Sequence, residues 1–435
     1  MKKSGIMFLL LAAIALSSLA GVRSDAQLRA KAGTVLNARS SGSLRHVASC
    51  HGLEVYGRPA GGYAVMASDD RFPALLAYSP EGKFSLDSDN PGLKWWLNAV
   101  TRRLAQVDAP RLTVTKPDTT RFASHVDPLL TSLWGQREPF KFMCPFDRYV
   151  SDGSLYGTYQ PDSGHYSLGC GPAAMAQYMY YYKYPKHGIG SGSVDVKYDQ
   201  ASVTLSVDFA AATYDWDNMI DGYQGDYTAA QGYAVAELCY HCGVAAKTTW
   251  NYLGGGTTDA NLVRAFIDNF GYNDTAHYVA RTNYDEPTWM EMVYAELSAG
   301  HPIFYSAKDI NMAEFIIAGH NFILDGYDEN GLVHVNWGWY GIENGYFDLE
   351  ILAVREYTYD DWQAMYVGLY PKEPEFVKGD VDGDGRITIA DATTLINNIL
   401  RQSSLDNPAC DVDEDNKVTI ADVTALINHL LSGNH

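Results

Sequence analysis

The sequence predicts an α+β fold in two halves, followed by a small helical module. Three observations carry this reading. Apolar residues recur at helical spacing near residues 171–184, 228–241, 259–270 and 287–299. Strand-like runs then dominate from Ile303 to Leu349. Beyond a short linker, Pro371-Lys372-Glu373-Pro374, one acidic pattern occurs twice, 31 residues apart. Helices first and antiparallel strands afterwards leave a cleft between two packed layers.

The first helical run opens at Gly171-Pro172, where proline's missing N–H costs nothing. Met175, Tyr178, Met179 and Tyr182 give its period, and Pro185 stops it. Cys170 therefore falls at the helix N-terminus, where the macrodipole favours a thiolate and an imidazolium would favour it further. The third run is introduced by Thr257-Thr258-Asp259, a capping signal, and carries Leu262, Val263, Phe266 and Phe270. Pro287 opens the fourth. In the strand-rich half, His320 precedes Phe322–Leu324, and Asp328-Glu329-Asn330-Gly331 turns the chain into Leu332–Trp337. This is a hairpin with Asn-Gly at its tip, which returns Asn336 and Trp337 to the side of His320.

A thiol at a helix start and a distant histidine on a strand are the parts of a nucleophile and its base. Asn336 offers a carbonyl oxygen to orient the second ring nitrogen, and Trp337 or Trp339 can shield that bond from water. The Gln136 amide, with the Cys170 backbone N–H, would receive a developing oxyanion. A cysteine before a helix is, on its own, commonly a small buried apolar residue. What points to acyl transfer is the set of Gln136, Cys170, His320 and Asn336 in order. His165 reads as a loop residue rather than a second base. Cys239 and Cys242 end a helical run without a second Cys pair, so they read as buried thiols and not a zinc site.

The chain has 435 residues, enough for two or three domains, and 46% of them are apolar. A formal charge of −20 argues against nucleic acid as a partner. Met1-Lys2-Lys3 and the short apolar run Phe8–Ala20 read as a secretory signal over residues 1–26, cut before Gln27 or after Ala20. Localisation outside the cell follows from it, and no other window is long enough to span a membrane. Residues 27–125 read as a separate small α+β unit. It has strands at Gly62–Ala67 and Leu75–Tyr78, a helix from Trp95, and an exposed linker from Pro110 to Ser124.

The two acidic loops run from Asp380 and from Asp411. Asp380, Asp382, Asp384 and Asp391 in the first, and Asp411, Asp413, Asp415 and Asp422 in the second, stand at positions 1, 3, 5 and 12 of a calcium loop. Arg386 and Lys417 would add backbone carbonyls at position 7. Each loop runs into a helix, none precedes it, and position 12 is Asp rather than Glu. That looks like a dockerin over residues 376–435, with Ca²⁺ as its cofactor. Residues 378–435 carry ten acids against four Lys/Arg, so metal-dependent folding is expected.

Residues 126–371 resemble a streptopain-type cysteine peptidase. The matching segments are Trp134–Phe140, Gly169-Cys170 with its helix, Gly319-His320 through Gly326, and His334–Trp339 through Asn344-Gly345-Tyr346. The resemblance implies a papain-like two-lobed fold with Cys170 as nucleophile, His320 as general base, Gln136 at the oxyanion and Asn336 as orienting residue, a role Trp337 could share. It further implies substrate contacts at Gly319, Trp339 and the Gly254-Gly255-Gly256 loop, Gly256 in particular. Gly171-Pro172 departs from the small apolar residue expected after the Cys in relatives. Residues 27–125 resemble the family's inhibitory propeptide, removed by cleavage at roughly 110–130. Expected partners are protein substrates, the propeptide itself, and a cohesin-like or cell-surface protein for the tail. A non-catalytic adhesin or scaffold component with a relic domain, and a transpeptidase, are the competing readings.

Overall fold

The computed structural model describes residues 21–36, 44–106, 111–161, 164–251, 254–311, 316–352, 361–372, 378–383, 386–403, 407–415 and 417–432. The expected signal core and Asp384 lie outside them. The N-terminal region contains α1 (Asp25–Val35), β1 (Arg45–Cys50), β2 (Leu53–Gly57), β3 (Tyr63–Ala67), β4 (Leu75–Ser79) and α2 (Pro91–Leu104). The helical half follows with α3 (Cys170–Tyr182), β5 (Ser191–Lys197), β6 (Ser202–Asp208), α4 (Ala229–Ala245), β7 (Thr249–Asn251), β8 (Gly254–Gly256) and α5 (Asp259–Arg264). The sheet half comprises β9 (His277–Ala280), α6 (Glu286–Ser298), β10 (Ile303–Asn311), β11 (Ile316–Tyr327), β12 (Val333–Asn336), β13 (Gly345–Phe347) and β14 (Asp361–Val367). The tail holds α7 (Ile389–Arg401) and α8 (Ile420–Ser432).

Ten of these strands form one sheet in the order β1-β2-β3-β4-β13-β12-β11-β10-β14-β9. The N-terminal region thus shares its sheet with the half that follows. Its β4 pairs antiparallel with β13, Tyr78 opposite Tyr346 and Ala77 opposite Phe347. Pairing removes the exposed edge that an apolar strand such as Leu75-Leu76-Ala77-Tyr78 would otherwise present. Tyr78 also stacks on Tyr346 at 5.0 Å and donates to Asp328 Oδ2 at 3.0 Å. Across this seam lies α2, its first turn capped by the Asn90 side chain. Leu93, Trp96 and Val100 are fully buried, each contributing about 1.5–3 kcal/mol. Trp96 meets Phe347 at 5.1 Å and Trp95 meets Phe322 at 6.1 Å. Apolar contact, with the Tyr78 bond to Asp328, holds the region down.

Ahead of α1, Ser24 and Gln27 form a reciprocal capping box. The Arg23 guanidinium donates to the carbonyls of Ala67 and Phe72 at 3.0 and 2.7 Å. Downstream, the linker is pinned to the sheet half. Thr115 N–H donates to Glu350 at 2.6 Å and its carbonyl accepts from Tyr294 at 2.6 Å. The Ala123 carbonyl accepts from Tyr327 at 2.7 Å.

In the helical half, α3 is buried on almost every side, so it holds its first residue rigidly. Tyr178 donates to the Pro302 carbonyl at 2.9 Å, tying the helix to the sheet. The third predicted helix is α-helical only to Arg264 and continues as a π turn, Ala265–Asn269. Cys239 and Cys242 are free, buried thiols on α4. His165 lies in a loop, buried between the carbonyls of Cys144 and Gln160. The predicted hairpin is present, with Ile323 opposite Asn336. Its turn closes as Asp328 Oδ1 accepts the N–H groups of Asn330 and Leu332, with Gly331 at φ +92°. Residues 372–435 form a separate compact unit around Val381, Ala392, Leu395, Cys410, Val423 and Leu426.

Candidate active site

Cys170 is the first residue of α3. Gly169, at φ +98°, turns the chain into the helix. A Cβ there would fall 2.6 Å from the Gly255 carbonyl oxygen, so glycine is required twice over. A Cβ on Gly255 would likewise meet the Leu168 carbonyl at 2.6 Å. The glycine-rich strand β8 thus presses directly on the loop that carries Cys170, while Gly256 faces open space. The Cys170 N–H sits in the first turn, where no intrahelical acceptor exists. The thiol is half-buried, and its contact on β11 is Asn321 Oδ1 at 3.9 Å. Burial pushes its pKa up, against the pull of nearby backbone N–H groups.

His320 is almost fully buried on β11. Its Nε2 lies 2.7 Å from the Trp337 carbonyl oxygen. A carbonyl only accepts, so Nε2 carries the hydrogen, an assignment made from the partner. Nδ1 has no partner. Burial lowers the pKa of His320 to about 4, partly offset by that hydrogen bond. Burial disfavours the charged form of each group, and no hydrogen bond joins the expected thiolate–imidazolium partners among the described residues.

The N-terminal region lies against this imidazole. A Cβ on Gly92, in the first turn of α2, would lie 2.7 Å from His320 Cδ2 and 2.3 Å from Trp337 Cε3. Backbone of the preceding domain thus rests on the imidazole and the indole at once. Trp337 is fully buried and donates from Nε1 to the Glu343 carbonyl at 3.1 Å. The Asn336 side chain does not face His320. Its Nδ2 donates to the Ser132 carbonyl at 2.8 Å and its Oδ1 accepts from Gly338 N–H at 3.1 Å. The group bonded to the imidazole is the backbone carbonyl one residue later.

Gln136 is close to the nucleophile through backbone. Its carbonyl accepts from Leu168 N–H at 3.0 Å and from Ser167 Oγ at 3.2 Å. It lines an open cleft of about 670 Å³ with Tyr166, Ser167, Asn251, Gly254 and Trp339. Asp89 and Pro91 of the N-terminal region stand in the same cleft. Gly319, exposed beside His320, pairs with Lys308 across the β10–β11 ladder. Sequence reasoning missed Gln177, whose Oε1 accepts from Ser132 Oγ and Trp134 N–H at 3.1 and 3.2 Å. It also missed Asn90 and Gly92. Their roles are set by contacts more than 200 residues away along the chain, which no local pattern encodes.

In the tail, carboxylate oxygens of Asp380, Asp382 and Asp391 lie within 4.8 Å of one another, as do those of Asp411, Asp413 and Asp415. Such oxygen clusters suit a hard divalent cation. The two residues at position 12 are fully buried. Asp391 Oδ1 accepts from Val381 and Asp382 N–H at 2.7 and 3.0 Å, and Asp422 Oδ1 accepts from Val412 and Asp413 N–H at 2.8 and 3.2 Å. They close the loops onto the helices. Arg386 and Lys417 are exposed.

A thiol at a buried helix start, a histidine on the facing sheet and a preceding domain laid across both define a cysteine peptidase with its pro-region docked. Comparison with known proteins agrees. Residues 134–347 match the Peptidase C10 family, residues 41–104 the Spi protease inhibitor and residues 378–431 the Dockerin type I domain. The chain is 26% identical to streptopain of Streptococcus pyogenes over 339 residues, 73% of this chain and 81% of that protein. It is 37% identical to a prointerpain A fragment of Prevotella intermedia, at a TM-score of 0.65, covering 76% of this chain and 99% of the other. It is 36% identical to active interpain A, at a TM-score of 0.51, covering 59% and 100%. The chain belongs to the Peptidase C10, or streptopain, family of cysteine peptidases.

Proposed function

We propose that the chain is a secreted endopeptidase made as a zymogen, with Cys170 as nucleophile and His320 as base. The observation that carries this is the Gly92 contact, which parks a buried imidazole with one nitrogen bonded and the other empty. Once the pro-region leaves, Nε2–H stays on the Trp337 carbonyl and Nδ1 is the atom free to take the thiol proton. The thiolate attacks the peptide carbonyl carbon, and the oxyanion is received by the Gln136 amide and the Cys170 N–H. Nδ1–H then gives its proton to the leaving amine. Water, deprotonated by Nδ1, attacks the thioester and releases the acid and the thiol. Trp337 excludes water from the Nε2 bond, and Gly319 and Trp339 flank the bound peptide, with Gly256 at a more distant edge. Asn336 acts on the turn that presents the Trp337 carbonyl rather than on the imidazole.

Processing is assigned to the stretch between the pinned residues Thr115 and Val126. There Asp118–Arg121 and Ala123–His125 are exposed. Incubating the purified zymogen and sequencing the products should give a new N-terminus within 118–125. Cys170→Ser should stay uncut, and equal cutting in that variant would refute self-processing by this thiol. For export, a cut after Ala20 keeps Arg23 and the Ser24 cap in place, whereas a cut before Gln27 would remove both.

The tail is proposed to bind calcium at Asp380, Asp382, Asp384 and Asp391 and at Asp411, Asp413, Asp415 and Asp422, with carbonyls from Arg386 and Lys417, and to dock to a cohesin-like or surface partner. Bound calcium would neutralise the clustered carboxylates. At calcium 100 times the dissociation constant, each loop should gain about 2.7 kcal/mol. A calcium-dependent rise of one thermal transition in the full chain checks this; identical scans with and without chelator would count against it.

A further inference from the structure

The turn after Trp337 is gripped from two directions. From the pro-region, Asn90 Nδ2 donates to the Ile342 carbonyl at 3.3 Å and Tyr63 OH to the Glu343 carbonyl at 3.2 Å. From the helical half, three residues flanking Gln136, namely Trp134, Gly135 and Arg137, meet Tyr340. Its N–H donates to the Trp134 carbonyl at 2.9 Å. Its ring covers Gly135 so closely that a Cβ there would fall 2.4–2.6 Å from three ring carbons. Its hydroxyl accepts from Arg137 N–H at 2.8 Å. Gln136, with Arg137 beside it, lines the cleft. A further link is Gln224, whose Nε2 bridges the carbonyls of Leu133 and Tyr340 at 2.9 and 3.0 Å. Tyr340 itself adopts φ +60°, a left-handed backbone that a bulky L-residue keeps only where its surroundings impose it.

We infer that Tyr340 is a positioning residue for the oxyanion side of the cleft. It holds the Trp134 carbonyl and Gly135 before Gln136 and the Arg137 N–H after it, and so aims the carboxamide at the reacting carbonyl. The inference rests on the assignment of Gln136 as an oxyanion donor. Such donors act by being oriented in advance, and a misplacement of about 1 Å can cost up to about 10²-fold in rate. The Tyr340 hydroxyl supplies this restraint without touching the substrate.

The test is Tyr340→Phe in the processed enzyme, which keeps the ring over Gly135 and removes only the acceptor of Arg137 N–H. The expected result is a kcat about tenfold lower with KM within about twofold. A reversible peptide aldehyde, whose adduct with the thiol bears an oxyanion, should bind more weakly by the same factor. The rate of Cys170 alkylation by iodoacetamide, which needs no oxyanion hole, should not move. In a Gln136→Ala background, Tyr340→Phe should add less than about twofold, because the two act through one group. A purely structural role would instead lower the melting temperature and affect alkylation as well. Gln224→Met, which removes the outer link, should give a smaller loss of the same kind if Tyr340→Phe folds poorly. A slowed Gln136→Ala with an unchanged Tyr340→Phe would overturn this assignment alone. An unchanged Gln136→Ala with a slowed Tyr340→Phe would overturn the oxyanion reading and the assignment together.

Discussion

Replacing Cys170 with serine is expected to lower peptide hydrolysis by about 10⁴-fold or more, and to leave the zymogen unprocessed. The change is nearly isosteric, so the fold should survive. What is lost is a nucleophile that can ionise near neutral pH. A serine hydroxyl at the same helix start lacks a matched base, because the imidazole is placed for a larger, softer atom with a far lower pKa. The other five cysteines cannot substitute. Cys144, Cys239, Cys242 and Cys410 are buried, and Cys50 lies on β1 in the pro-region. Residual activity within tenfold of the parent would mean that another group performs the chemistry, and would favour the reading of residues 126–371 as a relic domain.

The second large effect concerns latency. Gly92→Ala inserts a methyl group 2.3 Å from one Trp337 ring carbon and 2.7 Å from His320 Cδ2. Neither ring has room to retreat. Trp337 is fully buried against Phe322 and Phe347, and its indole N–H is bonded to the Glu343 carbonyl. The first turn of α2 must therefore lift. Overpacking of this kind costs about 1–3 kcal/mol, which is roughly a 5- to 150-fold weaker hold of the pro-region. The variant zymogen should process itself faster by a comparable factor in a time course of fragment release. Cleavage within 118–125 would remove residue 92 altogether, so the processed enzyme's kcat and KM should equal the parent's. That separates a latency effect from a catalytic one. A Gly92→Ala zymogen that matures at the parental rate would show that the contact does not restrain activation.

Much of this was readable from local pattern. The helix at Cys170, the capping signal at Thr258 and the Asn330-Gly331 turn are each set by residues within a turn of one another, and all stand where the sequence places them. The β5–β6 hairpin was overlooked, although Val194 and Val196 alternate with polar residues at strand period. The join between β4 and β13 was not readable, because Tyr78 and Tyr346 meet only through tertiary pairing. The site shows the same division. Residue types and order indicated a thiol, a base and an oxyanion donor. The contact of the N-terminal region on His320 did not follow, since its contact residue, Gly92, has no side chain to read. The expected link from Asn336 to His320 failed by one residue. The hairpin brings the right segment back, but register turns the Asn336 side chain toward Ser132 and leaves the Trp337 carbonyl at the imidazole.

Cys170 reactivity against pH tests the central claim most directly, by iodoacetamide labelling of processed enzyme and of His320→Ala processed in trans by the parent. The parent should label with a midpoint well below the ~8.5 of a free thiol. The variant should return to about 8.5 and label at least about tenfold more slowly at pH 6. Superimposable profiles would show that His320 does not activate Cys170.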